Sequence, residues 1–160
     1  MTDPNWESLR EVVVPAKPGH GFWTKVLDYV DASKRLQFVV EDERDAPPVP
    51  PGQQPPQPDR VPNKWSYAPE KLCTADGDPK APINPANCLL VDAPPGALIA
   101  KIGGSTAGKN DGIKVFVVGS FCVVDLDEKT KGALYLTMNA DPMSSLDKRG
   151  ELSVKVYHSR

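Results

Sequence analysis

The sequence predicts an all-β protein built as one antiparallel sandwich, and three observations carry that prediction. Between Pro94 and Tyr157 the apolar residues fall in short runs, GALIAKIGG, KVFVVGSFCVVDL, GALYLTMN and ELSVKVYH, rather than in long helical stripes. Clusters of Gly, Asn, Asp and Pro separate those runs, which is the pattern of strands joined by turns and not of strand–helix–strand units. The composition, 39% hydrophobic and 25% charged over 160 residues, is that of one ordinary globular domain with a sizeable core, so residues 1–160 are read as a single domain.

The elements follow in order. Asp3 to Leu9 reads as one helical turn, with Asp3 as N-cap and Pro4 at the first helical position, where its missing N–H costs nothing. Val12 to Val14 is a β-branched run stopped by Pro15, and Lys17 to Gly21 is a turn by composition. Phe22 to Val30 alternates imperfectly as a strand, with Phe22, Thr24, Val26 and Asp28 on one face and Trp23, Lys25, Leu27 and Tyr29 on the other. After a turn at Asp31 to Lys34, Leu36 to Val40 is the next strand.

From Pro47 to Pro62 eight of sixteen residues are proline. Proline cannot donate to a sheet ladder, so 45–63 is predicted as a surface insertion between two strands, with a docking segment for a proline-reading domain as the functional alternative. Beyond it come Lys64-Trp65-Ser66-Tyr67 and a polar loop from Ala68 to Asn87. Gly96 to Gly103 reads as a short buried strand. Lys114 to Val118 is another, and Gly119-Ser120 bends the chain before Phe121 to Leu126. Leu134 to Asn139 alternates and opens into the polar loop Ala140 to Gly150, which Leu152 to Val156 closes. The predicted core takes Val12, Val14, Leu36, Phe38, Val40, Leu98, Ile102, Val115, Val117, Val123, Leu134, Leu136, Leu152, Val154 and Val156.

Charge and motifs exclude several functions. A balance of 19 basic against 21 acidic residues recruits neither nucleic acid nor an anionic membrane surface. No apolar run approaches the ~20 residues of a membrane span. The opening residues lack the basic and apolar regions of a signal peptide, which predicts a cytoplasmic protein or one exported by another route. Gly103 to Asn110 matches GxxxxGK, but Asn110 stands where a hydroxyl should meet Mg²⁺, and a strand follows in place of a helix, so the segment is read as a hairpin connection. His20 and His158 have no nucleophile motif beside them, and the chain is predicted not to be an enzyme.

Three cysteines without CxxC spacing make no zinc site. Cys122, inside an apolar strand, is a small buried side chain. Cys73 and Cys88 are the pair to join in an oxidising compartment, where closing their loop would add roughly 3 kcal/mol on the chain-entropy estimate. In a reducing one all three remain thiols.

The run GALIAKIG, then FVVG, then GALYLTMNAD, then a loop ending in Gly150 before SVKV, is similar to the PA-IL-like galactose-binding lectins and their accessory modules. The resemblance covers residues 94–157 well and extends more loosely upstream to Val12. It implies a jelly-roll sandwich, galactose-binding-domain-like, and a non-catalytic carbohydrate-binding module. It also places Trp65 near the sugar site, where its ring would either stack on a pyranose or anchor the core. Asp76, Asp78, Asn84 and Asn87 lie where those lectins hold a histidine and a glutamine, neither of which occurs between Lys64 and Gly96.

In those lectins one calcium sits after the LYL-x-x-N strand and receives two sugar hydroxyls. The matching positions here are Asn139, Ala140 in place of an aspartate, Ser144 in place of a threonine, and Asp147 and Lys148 in place of two asparagines. A shift of one residue brings in Asp141, so that Asp141, Ser144 and Asp147 form a reduced oxygen cluster; an ordinary polar loop is the alternative. The expectation is a lectin-like module with a weakened or altered calcium and sugar site. Glycans, protein partners and self-association remain its candidate interactions. A structural or protein-interaction sandwich without sugar binding is the second reading, and a secretion-associated or immunity-type partner is a third.

Overall fold

In the computed structural model the chain is described at residues 5–18, 21–41, 52, 63–68, 71–81, 89–90, 92–106, 108, 111–140 and 148–160. These contain ten strands and no helix: β1 (Trp6–Pro15), β2 (Thr24–Leu27), β3 (Leu36–Val40), β4 (Trp65–Ser66), β5 (Leu72–Cys73), β6 (Leu98–Ile102), β7 (Lys114–Val117), β8 (Phe121–Val124), β9 (Leu134–Met138) and β10 (Arg149–Ser159). Every strand pairing is antiparallel. One sheet of six strands runs β5-β4-β10-β3-β8 with β1 also on β10; the other, of four, runs β2-β9-β6-β7.

β10 is the spine of the larger sheet. Its period-two pattern buries Leu152, Val154 and Val156 completely, and it pairs with β1, β3 and β4 at once. Here the structure corrects the predicted helical turn: Trp6 to Leu9 are strand residues of β1, with Trp6 to Ser8 in register with Ser159 back to Tyr157 and Leu9 at a register shift. Trp6 to Arg10 carry no apolar face toward the core, and it is the ladder offered by β10 that fixes them as strand. Asp3 and Pro4 lie outside the described residues.

The two sheets meet across one core in which Leu36 and Phe38 of β3, Val154 and Val156 of β10, Leu98 and Ile102 of β6, and Leu134 and Leu136 of β9 share contacts. Eleven of the fifteen predicted core residues are buried. Val12 and Val115 are partly buried against their clusters. Val117 and Val123 are corrections, 46% and 41% exposed. β7 and β8 are apolar at almost every position, so alternation alone does not set their phase; the structure turns Phe116, Cys122 and Val124 inward instead. Cys122 is accordingly half-buried rather than buried.

β6 and β9 are buried along their whole length because the outer face of the smaller sheet is also covered. Trp23, Leu89, Ala93 and Ala97 pack there on Ile99 and Tyr135 as a second, smaller cluster. The strand predicted for Phe22 to Val30 is shorter, Thr24 to Leu27, and a register shift between Lys25 and Leu27 accounts for its imperfect alternation. The Gly119-Ser120 bend carries the chain from β7 in one sheet to β8 in the other. Of the predicted insertion 45–63, all but Gly52 and Asn63 lies outside the described residues.

Candidate functional site

Strands β4 and β5, the starts of β6 and β10 and the end of β9 meet at one end of the sandwich. Gly150 of β10 pairs with Trp65 of β4, and Trp65 pairs in turn with Cys73 of β5. Asp76 bridges Ala97 just before β6. At the end of β9 the Asn139 backbone N–H donates to the Ala97 carbonyl and its own carbonyl accepts from Gly96, at 2.7 and 2.8 Å.

Two side chains at this end, Trp65 and Asn139, are committed inward. Trp65 is fully buried and its indole N–H donates to the Gly96 carbonyl at 2.6 Å, which makes it an anchor of the core with no ring face toward solvent. Gly96 has φ +86° and a Cβ there would lie 2.5 Å from Cys73 Sγ, so only glycine lets β4, β5 and β6 close around the indole. Asn139 is also fully buried. Its Oδ1 accepts from Leu90 N–H, and its amide nitrogen faces the carbonyls of Leu90, Ala93 and Pro94 at 2.9, 3.0 and 3.2 Å, clamping the 89–94 segment to β9.

The two described aspartates have similar duties. Asp76 accepts the Ser120 N–H at 2.8 Å and the Ser120 hydroxyl, pinning the corner between β7 and β8. Asp78 accepts the Tyr67 hydroxyl at 2.7 Å and the Lys80 N–H at 3.0 Å; the Tyr67 hydrogen bond, then that from Lys80, holds its carboxyl below the usual range. Tyr67 moves the opposite way, raised by burial and then by the Asp78 bond. Burial, and then the Asp78 charge, push the Cys73 thiol up to about 12. Asn84, Asn87, Cys88, Asp141, Ser144 and Asp147 lie outside the described residues, as does His20. Ala140 is buried, and among the described residues no three His, Cys, Asp or Glu converge as a metal cluster. His158 sits on β10 with its Nε2 3.1 Å from Glu7 of β1.

A second polar centre escaped sequence reasoning altogether. Lys101, mid-strand in β6, is fully buried on the outer face of the smaller sheet. Its ammonium donates to the carbonyls of Ser105 and Gly108 and to Asp111 Oδ1, the last two at 3.0 and 2.8 Å, which uses all three donors. The rings of Trp23 and Tyr135 lie 4.8 and 4.9 Å away and complete the cage. Asp111 Oδ2 accepts from Ser105 N–H and hydroxyl, and the Lys101 bond, followed by burial working against it and the Ser105 hydroxyl, leaves the carboxyl below its ordinary range.

This explains the GxxxxGK match. β6 and β7 do pair as a hairpin, and the loop between them turns carbonyl oxygens toward a cation, whereas a phosphate loop must turn N–H groups inward. Gly112 is glycine because a Cβ there would run into Lys101 Cγ. The available signal was a lysine inside a strand apolar on both sides, followed ten residues later by an aspartate in a glycine-rich loop. No protein-family model matches the chain, and no curated protein matches it.

Proposed function

We propose that the chain is a non-catalytic, lectin-like jelly-roll module that binds carbohydrate through a weakened or altered calcium and sugar site. The observation that supports it is the convergence of 63–68, 71–78, 94–97, 139–140 and 149–150 at one end of the sandwich through the Trp65–Gly150 pairing and the Asn139 clamp. The resembling lectins build their site from the counterparts of Trp65, of the loop that follows it and of the loop after Asn139. The alteration follows from the donor set. Calcium takes six to eight oxygens, yet Ala140 offers no side-chain oxygen, Lys148 brings a cation, and the Asn139 amide is occupied inside the fold. The residues present do not fit a tightly held calcium, and Asp141, Ser144 and Asp147 are the reduced set that remains.

A second reading, a protein-interaction sandwich without sugar binding, is favoured by one observation: edge strand β8 exposes Phe121 at 61% and Val123 at 41%. A glycan array read with calcium and again with EDTA separates the two. Weak hits that chelation lowers are expected; a protein with no hit under either condition belongs to the second reading.

A further inference from the structure

We infer that the cleft over Tyr29, at the opposite end of β9 from the Asn139 clamp, is a metal-independent saccharide subsite; the inference rests on the carbohydrate-binding reading above. The cleft measures about 610 Å³ and is lined by Tyr29, Asp31, Ala32, Ser33, Glu128 and Lys131, which come from the β2–β3 and β8–β9 loops. That volume lies within the range of small-molecule sites. Thr24 to Leu27 run antiparallel to β9, so the loop after Leu27 lies beside Leu134, the start of β9, while the clamp is at its finish.

The cleft is held in shape by contacts that engage Asp31 through Oδ1 and Ser33 but leave the Tyr29 ring exposed. Val30 is buried and its N–H donates to the Gly132 carbonyl at 3.0 Å, tying one loop to the other. Asp31 Oδ1 accepts from the Ser33 N–H and hydroxyl at 3.0 and 2.6 Å. Across the cleft, buried Thr130 donates its hydroxyl to Asp127 at 3.0 Å. Two braced loops thus present a ring that is 65% exposed, although nothing in the packing of β2 or β3 requires an aromatic there.

The chemistry selects the ligand class. One aromatic face with carboxylates on Asp31 and Glu128 and an ammonium on Lys131 is poorly matched to an apolar ligand, which would leave three charges facing it. Either kind of ion would meet a like charge. A neutral pyranose uses the whole set: its C–H face covers the Tyr29 ring, and its hydroxyls donate to the carboxylates and accept from the ammonium. The contrast with the other end is one of degree: there both carboxylate oxygens of Asp76 and of Asp78 accept hydrogen bonds within the fold, whereas Asp31 accepts the Ser33 bonds through Oδ1.

The test is amide NMR of the ¹⁵N-labelled chain in EDTA, titrated with the methyl pyranosides of galactose, glucose and mannose. At least one is expected to shift the amides of 29–33 and 128–132. Tyr29→Ala should weaken that binding at least tenfold while Tyr29→Trp retains it, both keeping the native spectrum elsewhere because the ring is exposed. Shifts confined to 139–150 and dependent on added calcium would overturn the subsite and leave the lectin-like reading standing. No shift with any pyranoside, with or without calcium, would overturn both. Shifts at 29–33 that Tyr29→Ala leaves unchanged would also overturn the subsite.

Discussion

At the scale of single residues, the most consequential side chain is Lys101, whose charge is enclosed by a loop built around it. Removing the ammonium while keeping the stem, as in Lys101→Met, leaves two loop carbonyls and the Asp111 carboxylate without their donor. The expected loss is about 3 kcal/mol, the lower end for breaking a buried pair because Asp111 is partly solvated, and chemical denaturation measures it. The pH dependence has a definite sign. Asp111 titrates below its ordinary 3.8 in the folded chain, so its contribution is present above that value and lost as pH falls through the lower folded one. Asp111→Asn should therefore be less stable than the parent near neutrality and converge with it in acid, once the pH has fallen through the lowered folded-state value. A gap that persists unchanged in acid would mean that charge at Asp111 is not what orders the loop. Nothing in the alternation of ALIAKI distinguishes such a lysine from one facing water. It is the second layer, Trp23 and Tyr135, that decides, and those contacts are long-range.

At the scale of elements, the strands legible in the sequence are those whose two faces differ or whose ends carry turn residues. Leu36 to Val40 is recovered to the residue, and Leu134 to Met138 and the core of β10 nearly so. β1 was not legible in its first half because Trp6 to Arg10 owe their conformation to a ladder with residues 156–159, a partner that local pattern does not reveal. β7 and β8 were legible as strands but not in phase. Their consequence is an edge on which Phe121 and Val123 face solvent. Phe121→Lys and Val123→Lys should each change stability by less than about 0.5 kcal/mol, as surface substitutions do, and should lower light scattering at high protein concentration. A loss of several kcal/mol from either would place that side chain in the core after all.

At the scale of the whole molecule, the sandwich carries two ends of different character. The end that the GALI and LYL motifs identify was visible in sequence as a set of segments. What was not visible is that Trp65, Asp76, Asp78 and Asn139 are each tied into the fold, because burial and hydrogen-bond partners come from segments distant in sequence. The proposal of a weakened site rests on that loss of free donors together with Ala140 and Lys148. Calorimetric titration with calcium, on the parent chain and on Asp141→Ala, tests it most directly. The predicted result is no saturable heat below about 1 mM calcium, the weak end of protein sites, and the same trace from both proteins; micromolar calcium binding that Asp141→Ala abolishes would contradict it.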